Sequence, residues 1–277
     1  MSFDADIALR ASGPRTFDLD VPAHWGIGRG ATNGGYVAAV ITRALEEAVA
    51  DADRLPRSLT IHYLAACGPG RARIATTVER GGGSLTTLSA RMTQGDATVA
   101  LALATFGLTR PGLDFQHAPM PEAPPPDELP DWRMEAGMPT FPVNWEYRWC
   151  FGPPYTRAER AVTGGWIRPR EPRIVDAPLV AAMADGWIPP VLLLLDHPRG
   201  IVPTIDLTIH FRSELPPADM APGDYSFALF SSRVGAEGYW ESDGVIWSRD
   251  GRVLAQARQL AVFRLRAEGE KRAGDAR

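Results

Sequence analysis

Cysteine is scarce in this chain of 277 residues: there are two, Cys67 and Cys150, and they form no metal-type spacing. Two cysteines so far apart in a chain of this size are read as reduced thiols inside a cell. Histidine is almost as sparse. The five, His24, His62, His117, His197 and His210, have no ligand spacing among themselves, so no metal is expected. No Gly-x-Ser-x-Gly elbow occurs, which argues against a serine-hydrolase triad. The cluster Gly81-Gly82-Gly83 lacks the Lys-Ser/Thr of a phosphate loop. The opening MSFDADIALRASG is acidic and has no apolar core, so no secretory leader is read there. The apolar run VLLLLD, after Pro190, is far too short to span a bilayer. A formal net charge of −4 and the lack of a basic run give no reason to expect nucleic acid or a membrane surface as partner. A cytoplasmic chain is the expectation.

What is present is a globular composition, 45% hydrophobic and 22% charged, at a length that suits one large domain or two ordinary ones. It also contains one strand written twice. Leu59-Thr60-Ile61-His62-Tyr63 and Leu207-Thr208-Ile209-His210-Phe211 differ only by a phenol for a phenyl. Around each copy the same order of elements is predicted. In the first half, NGGYVAAVITRALEEAVADA carries Val37, Val40, Ile41, Ala44, Leu45 and Ala48 at helical spacing, with Asn33 or Thr32 as cap. Strands follow, punctuated by hairpin signals at Gly81-Gly82-Gly83 and Gln94-Gly95-Asp96. In the second half, APLVAAMADGWIPPVLLLLD reads as a helix interrupted or ended near Pro189-Pro190. TIDLTIHF and three further strands come after it. Between the halves, the prolines from Pro119 to Pro142 read as an extended linker. Residues 1–116, 117–142 and 143–277 are therefore taken as unit, linker and unit. Each unit is an α+β layer of one long helix against an antiparallel sheet.

The two copies differ in polar content. The duplicated strand sets Thr204 opposite Pro56, and matching the last strands through Phe106 and Phe263 sets Gln259 opposite Ala102. Gln259 interrupts the small apolar phase Val253, Ala255, Ala257, Ala261, Phe263, so a partner is expected for its amide. A backbone of the neighbouring helix would serve equally well. Asp185, late on the second helix, breaks another apolar run, though a turn aspartate before Gly186 reads the same way. Strict alternation sends Thr204 to the polar phase with Asp206 and His210, unless a bulge follows Pro203.

The order of elements resembles the hotdog fold, and two in tandem resemble a double hotdog. More specifically, Asp185 before Pro189-Pro190, Thr204 opening TIDLTIHF, and Gln259 in AQARQLAVFRL resemble the C-terminal unit of the acyl-CoA thioesterase II family. Gly34-Gly35 resembles that family's start to the first helix. The resemblance implies hydrolysis of an acyl-CoA to free acid and CoA, in lipid metabolism. A water would be held and activated by Asp185, Thr204 and Gln259, and backbone N–H groups near Gly34 and Gly35 would meet the substrate oxygen. No cofactor is implied, because CoA is part of the substrate, and hotdog pairs suggest a homodimer. Two other readings stand beside it: a double hotdog that only binds acyl thioesters, and a hydratase or dehydratase, for which no His–Asp pairing is visible.

Overall fold

The computed structural model describes residues 2–28, 30–133, 139–195 and 200–265; His197 lies outside them. The first half runs β1 (Arg10–Gly13), β2 (Thr16–Val21), α1 (Gly34–Val49), β3 (Arg54–Tyr63), β4 (Gly70–Gly81), β5 (Leu85–Gln94) and β6 (Ala97–Leu108). The second runs β7 (Trp145–Phe151), β8 (Val162–Pro169), α2 (Ala177–Met183), β9 (Thr204–Phe211), β10 (Ser226–Ser231), β11 (Tyr239–Trp247) and β12 (Val253–Val262). All twelve strands lie along one path of a 13-stranded antiparallel sheet, in the order β1-β2-β4-β5-β6-β3-β9-β12-β11-β10-β8-β7. The thirteenth, Gly235–Ala236, flanks β11. Read outward from the centre, the two halves have the same strand order. This is the double hotdog expected from the sequence.

The repeated strand forms the seam. β3 and β9 pair antiparallel, with Thr60 opposite Thr208 and Leu59 opposite Ile209. Thr60 and Thr208 are 148 positions apart, the interval between the copies, so a pseudo-twofold axis passes through them. Their hydroxyls lie 3.0 Å apart. Even the irregularity is repeated. The register slips at Arg57 in β3, between Pro56 and Ser58, and at Ile205 in β9, between Thr204 and Asp206.

Register also corrects the matching of the last strands. Leu59 pairs with Ala104, and its counterpart Leu207 pairs with Gln259. Gln259 therefore corresponds to Ala104 rather than Ala102. The phenylalanine match slid the strand by two residues, which keeps every side chain on the correct face and so leaves no sign of error.

α1 lies against β3, β4, β5 and β6, and α2 packs against α1 in the same core. α1 is capped by Asn33, whose Oδ1 accepts from the Tyr36 N–H at 3.1 Å, and it buries Val37, Val40, Ile41, Ala44 and Leu45. α2 is not the long helix read from the sequence. It covers seven residues, capped by Asp176, and ends at Ala184; a 3₁₀ turn, Pro190–Leu194, follows. The last turn tightens, with the Asp185 N–H on the Ala182 carbonyl and the Gly186 N–H on the Met183 carbonyl, and Pro189 and Pro190 lack the donors to resume the helix beyond it. The start of α1 meets the end of α2 so closely that a Cβ on Gly35 would lie 2.4 Å from the Ala182 carbonyl oxygen.

The proline-rich stretch is extended and strapped to the outer face of the second unit. Trp166 Nε1 donates to the Pro124 carbonyl at 2.9 Å and Trp247 Nε1 to the Ala118 carbonyl at 3.0 Å. Beneath it, Trp166, Tyr225, Phe227, Trp247 and Val253 form a second apolar cluster. No helix among the described residues is long and apolar enough to cross a membrane.

Candidate active site

The turn that ends α2 carries Asp185, two residues past Met183, the last residue of the helix on which the sequence put it. That turn is fixed on several sides. The Asp185 N–H reaches the Ala182 carbonyl at 3.3 Å, and the Gly186 carbonyl accepts from the Tyr147 hydroxyl at 2.5 Å. Asn33, the cap of α1, turns its amide nitrogen onto the Asp185 carbonyl at 2.9 Å and onto carboxylate Oδ2 at 3.2 Å. The Gly35 N–H donates to the same Oδ2 at 3.1 Å. Both side-chain bonds fall on Oδ2, and Asp185 lines a cavity.

Charge follows from this setting. Burial pushes the Asp185 pKa up to about 7, and the backbone N–H groups of Gly35 and Gly34 offset part of that rise. The positive end of α1 acts in the same direction as those N–H groups. Tyr63 closes the site from β3: its hydroxyl donates to the Gly34 carbonyl at 2.9 Å, and burial together with Asp185 holds its pKa well above the ordinary value.

Across from Asp185 lies the inward row of the sheet. Gln259 on β12 is 8% exposed and sits between Leu207 on β9 and Ser242 on β11. Thr204 is brought to the same face by the Ile205 bulge, which sets it opposite buried Ala261 and reverses the strict alternation. Its hydroxyl donates to Gln259 Oε1 at 3.1 Å, and Gln259 lines the same cavity as Asp185.

Asp185, Gln259 and Ser242 line one cavity with Ala184, Trp187, Ile188, Pro189, Pro190 and Phe230. The cavity volume is about 10 Å³, close to the roughly 10–15 Å³ needed for a single water. Two walls are aromatic. Trp187 packs 4.7 Å from Trp149 between ring centres, and the Phe230 ring fills the space that a Cβ on Gly244 would occupy.

The three residues of the sequence motif thus meet as two contacts: Asp185 and Gln259 on one cavity, and Thr204 behind Gln259. Gly34 and Gly35 adjoin Asp185 itself. Trp187 is on the cavity, Trp25 and Tyr36 are in the main core, and Trp166 lies under the strap. Sequence reading missed two residues. Asn33 was legible only as a cap, and Ser242, a serine on an inward strand phase, carried no signal. Among the described residues, no cluster of three or more His, Cys, Asp or Glu could hold a metal ion.

Two fused sheet-and-helix units define a double-hotdog protein. The chain belongs to the acyl-CoA thioesterase family: residues 21–107 match the family's N-terminal domain and residues 118–263 its C-terminal domain. It is similar to a hot dog fold protein of unknown function from Alicyclobacillus acidocaldarius, at TM-score 0.85 and 26% identity over 96% of this chain and 98% of that one. An acyl-CoA thioesterase II from Mycobacterium marinum shares the fold at TM-score 0.77 and 20% identity, over 96% and 99% of the two chains. An uncharacterized protein of Mycobacterium tuberculosis (strain ATCC 25618 / H37Rv) is 26% identical, over 90% of this chain and 91% of its own length.

Proposed function

We propose that this protein hydrolyses acyl-CoA thioesters by direct attack of a water held between Asp185 and Gln259. The observation that carries the reading is the water-sized cavity on which a carboxylate and an amide from different elements converge. Asp185 accepts a proton from the water, a role suited to a base whose pKa is about 7. Gln259 donates through its amide nitrogen and fixes the direction of attack, and Thr204 locks that amide by occupying Oε1. The water oxygen bonds to the thioester carbon, the C–S bond breaks, and the CoA thiolate leaves with the proton that Asp185 took. Free acid and CoA are the products, with no cofactor consumed. Gly34 and Gly35 act on the base: their N–H groups hold the carboxylate, and their lack of side chains lets α1 approach it.

Thiol release from a panel of acyl-CoAs tests this. Turnover is expected with the wild type, and Asp185→Asn should lower kcat by roughly 10²–10⁴-fold, the usual contribution of a positioned acid–base group. Undiminished turnover in Asp185→Asn would remove Asp185 from the reaction. Tight acyl-CoA binding with no thiol released over hours would replace hydrolysis by binding alone.

A further inference from the structure

Two residues on the cavity outside the motif carry a polar side-chain atom that is buried without a protein partner: Trp187, whose Nε1–H can only donate, and Ser242, whose hydroxyl can also accept. Ser242 lies on the inward phase of β11, where its neighbours are Trp240, Gly244 and Ile246, and it is 2% exposed. Its Oγ is buried with no protein hydrogen-bond partner. A buried hydroxyl left in that state costs stability that alanine would not cost. Backbone pairing sets Ser242 directly opposite Gln259, and both line the cavity with Asp185.

We propose that the Ser242 hydroxyl is a further ligand of the attacking water, accepting the hydrogen that Asp185 does not take. This rests on the cavity being the hydrolytic site. A water has two hydrogens and two lone pairs, and attack uses one lone pair. Asp185 accepts one hydrogen and the Gln259 amide fills the second lone pair. With those two contacts alone the water still swivels about the line joining them. A third contact on the remaining hydrogen stops the rotation and leaves the free lone pair aimed in one direction. Ser242, beside Gln259 in the same inward row, is placed to make it, and the orphaned Oγ is then satisfied by the water.

The test compares Ser242→Ala, Ser242→Thr and Asp185→Asn in the full chain. Ser242→Ala should lower kcat about tenfold, the worth of one hydrogen bond made by the reacting water, with KM within twofold and Tm unchanged or higher. Ser242→Thr, which keeps the hydroxyl, should recover most of the kcat. In hydroxylamine, Ser242→Ala should form more hydroxamate relative to free acid than the wild type does, because the water is held less well. That ratio decides the matter if the threonine variant does not fold. A kcat within twofold of wild type in Ser242→Ala, beside an inactive Asp185→Asn, overturns this inference and leaves the hydrolytic reading standing. A fall in Tm matching the fall in kcat, with an unchanged hydroxamate ratio, makes Ser242 structural and overturns it as well. Full activity in Asp185→Asn removes the underlying reading first.

Discussion

A carboxylate enclosed like Asp185 ionises reluctantly, and the consequences appear in both rate and stability. Hydrolysis needs the charged form, so kcat should rise with pH through a midpoint near 7. Stability should change in the opposite direction. The carboxyl has a pKa of 3.8 when unperturbed and about 7 in the folded chain, so between those values the native state binds the extra proton. Its stability relative to the unfolded chain therefore falls as pH rises through that interval. Asp185→Asn removes the titration. The Tm of the variant minus that of the wild type should become more positive from pH 4 to pH 7, measured by thermal melts; a difference that shrinks would contradict the burial argument. At this scale the sequence was informative wherever a residue broke a pattern. Asp185 and Gln259 stood out against apolar surroundings. Thr204 was recognisable only by its motif, because alternation pointed it outward and the Ile205 bulge leaves no mark in composition. Ser242 broke no pattern, since serine is ordinary in strands and its lack of a partner is visible only in three dimensions.

At the scale of elements, the meeting of α1 and α2 sets the geometry of the base. Gly→Ala within a helix ordinarily stabilises by about 0.4–1 kcal/mol where the backbone permits it. At Gly35 the sign should reverse. The added Cβ would lie 2.4 Å from the Ala182 carbonyl oxygen and 2.9 Å from Asn33 Oδ1. Separating the helices is expected to cost about 1–3 kcal/mol, typical of overpacking, and to loosen the Gly35 N–H bond on Asp185. Gly35→Ala should therefore lower both Tm and kcat, with thermal melts and steady-state rates as the readout; a raised Tm would mean that the helices do not touch there. The first helix was readable in the sequence because its apolar spacing is long and its cap is an asparagine. The second was overestimated because its alanines and leucines continue the apolar pattern past Met183, where the helix tightens into its final turn well before the two prolines. Its true end is what frees Asp185 to face the cavity from a turn.

For the whole molecule, the fused pair allows the proposed chemistry to sit in one copy. A dimer of identical units would repeat any site about its twofold axis. Here the positions corresponding to Thr204 and Gln259 are Pro56 and Ala104, which offer neither a hydroxyl nor an amide. The duplicated strand forms the seam, where Thr60 and Thr208 meet across the pseudo-twofold axis. That symmetry was half legible: the repeat was plain in the sequence, but its self-pairing depends on contacts between residues 148 positions apart. The strap was legible only as extended chain, because proline content says nothing of carbonyls that accept from Trp166 and Trp247. A single hydrolytic cavity in the later copy, using water rather than a covalent acyl-enzyme, is the claim on which the rest depends. A single turnover in ¹⁸O-labelled water, followed by mass spectrometry of the acid and of the Asp185 peptide, tests it most directly. Attack by water predicts one ¹⁸O in the free acid and none in Asp185; label in the Asp185 carboxylate, with unlabelled acid released, would contradict it.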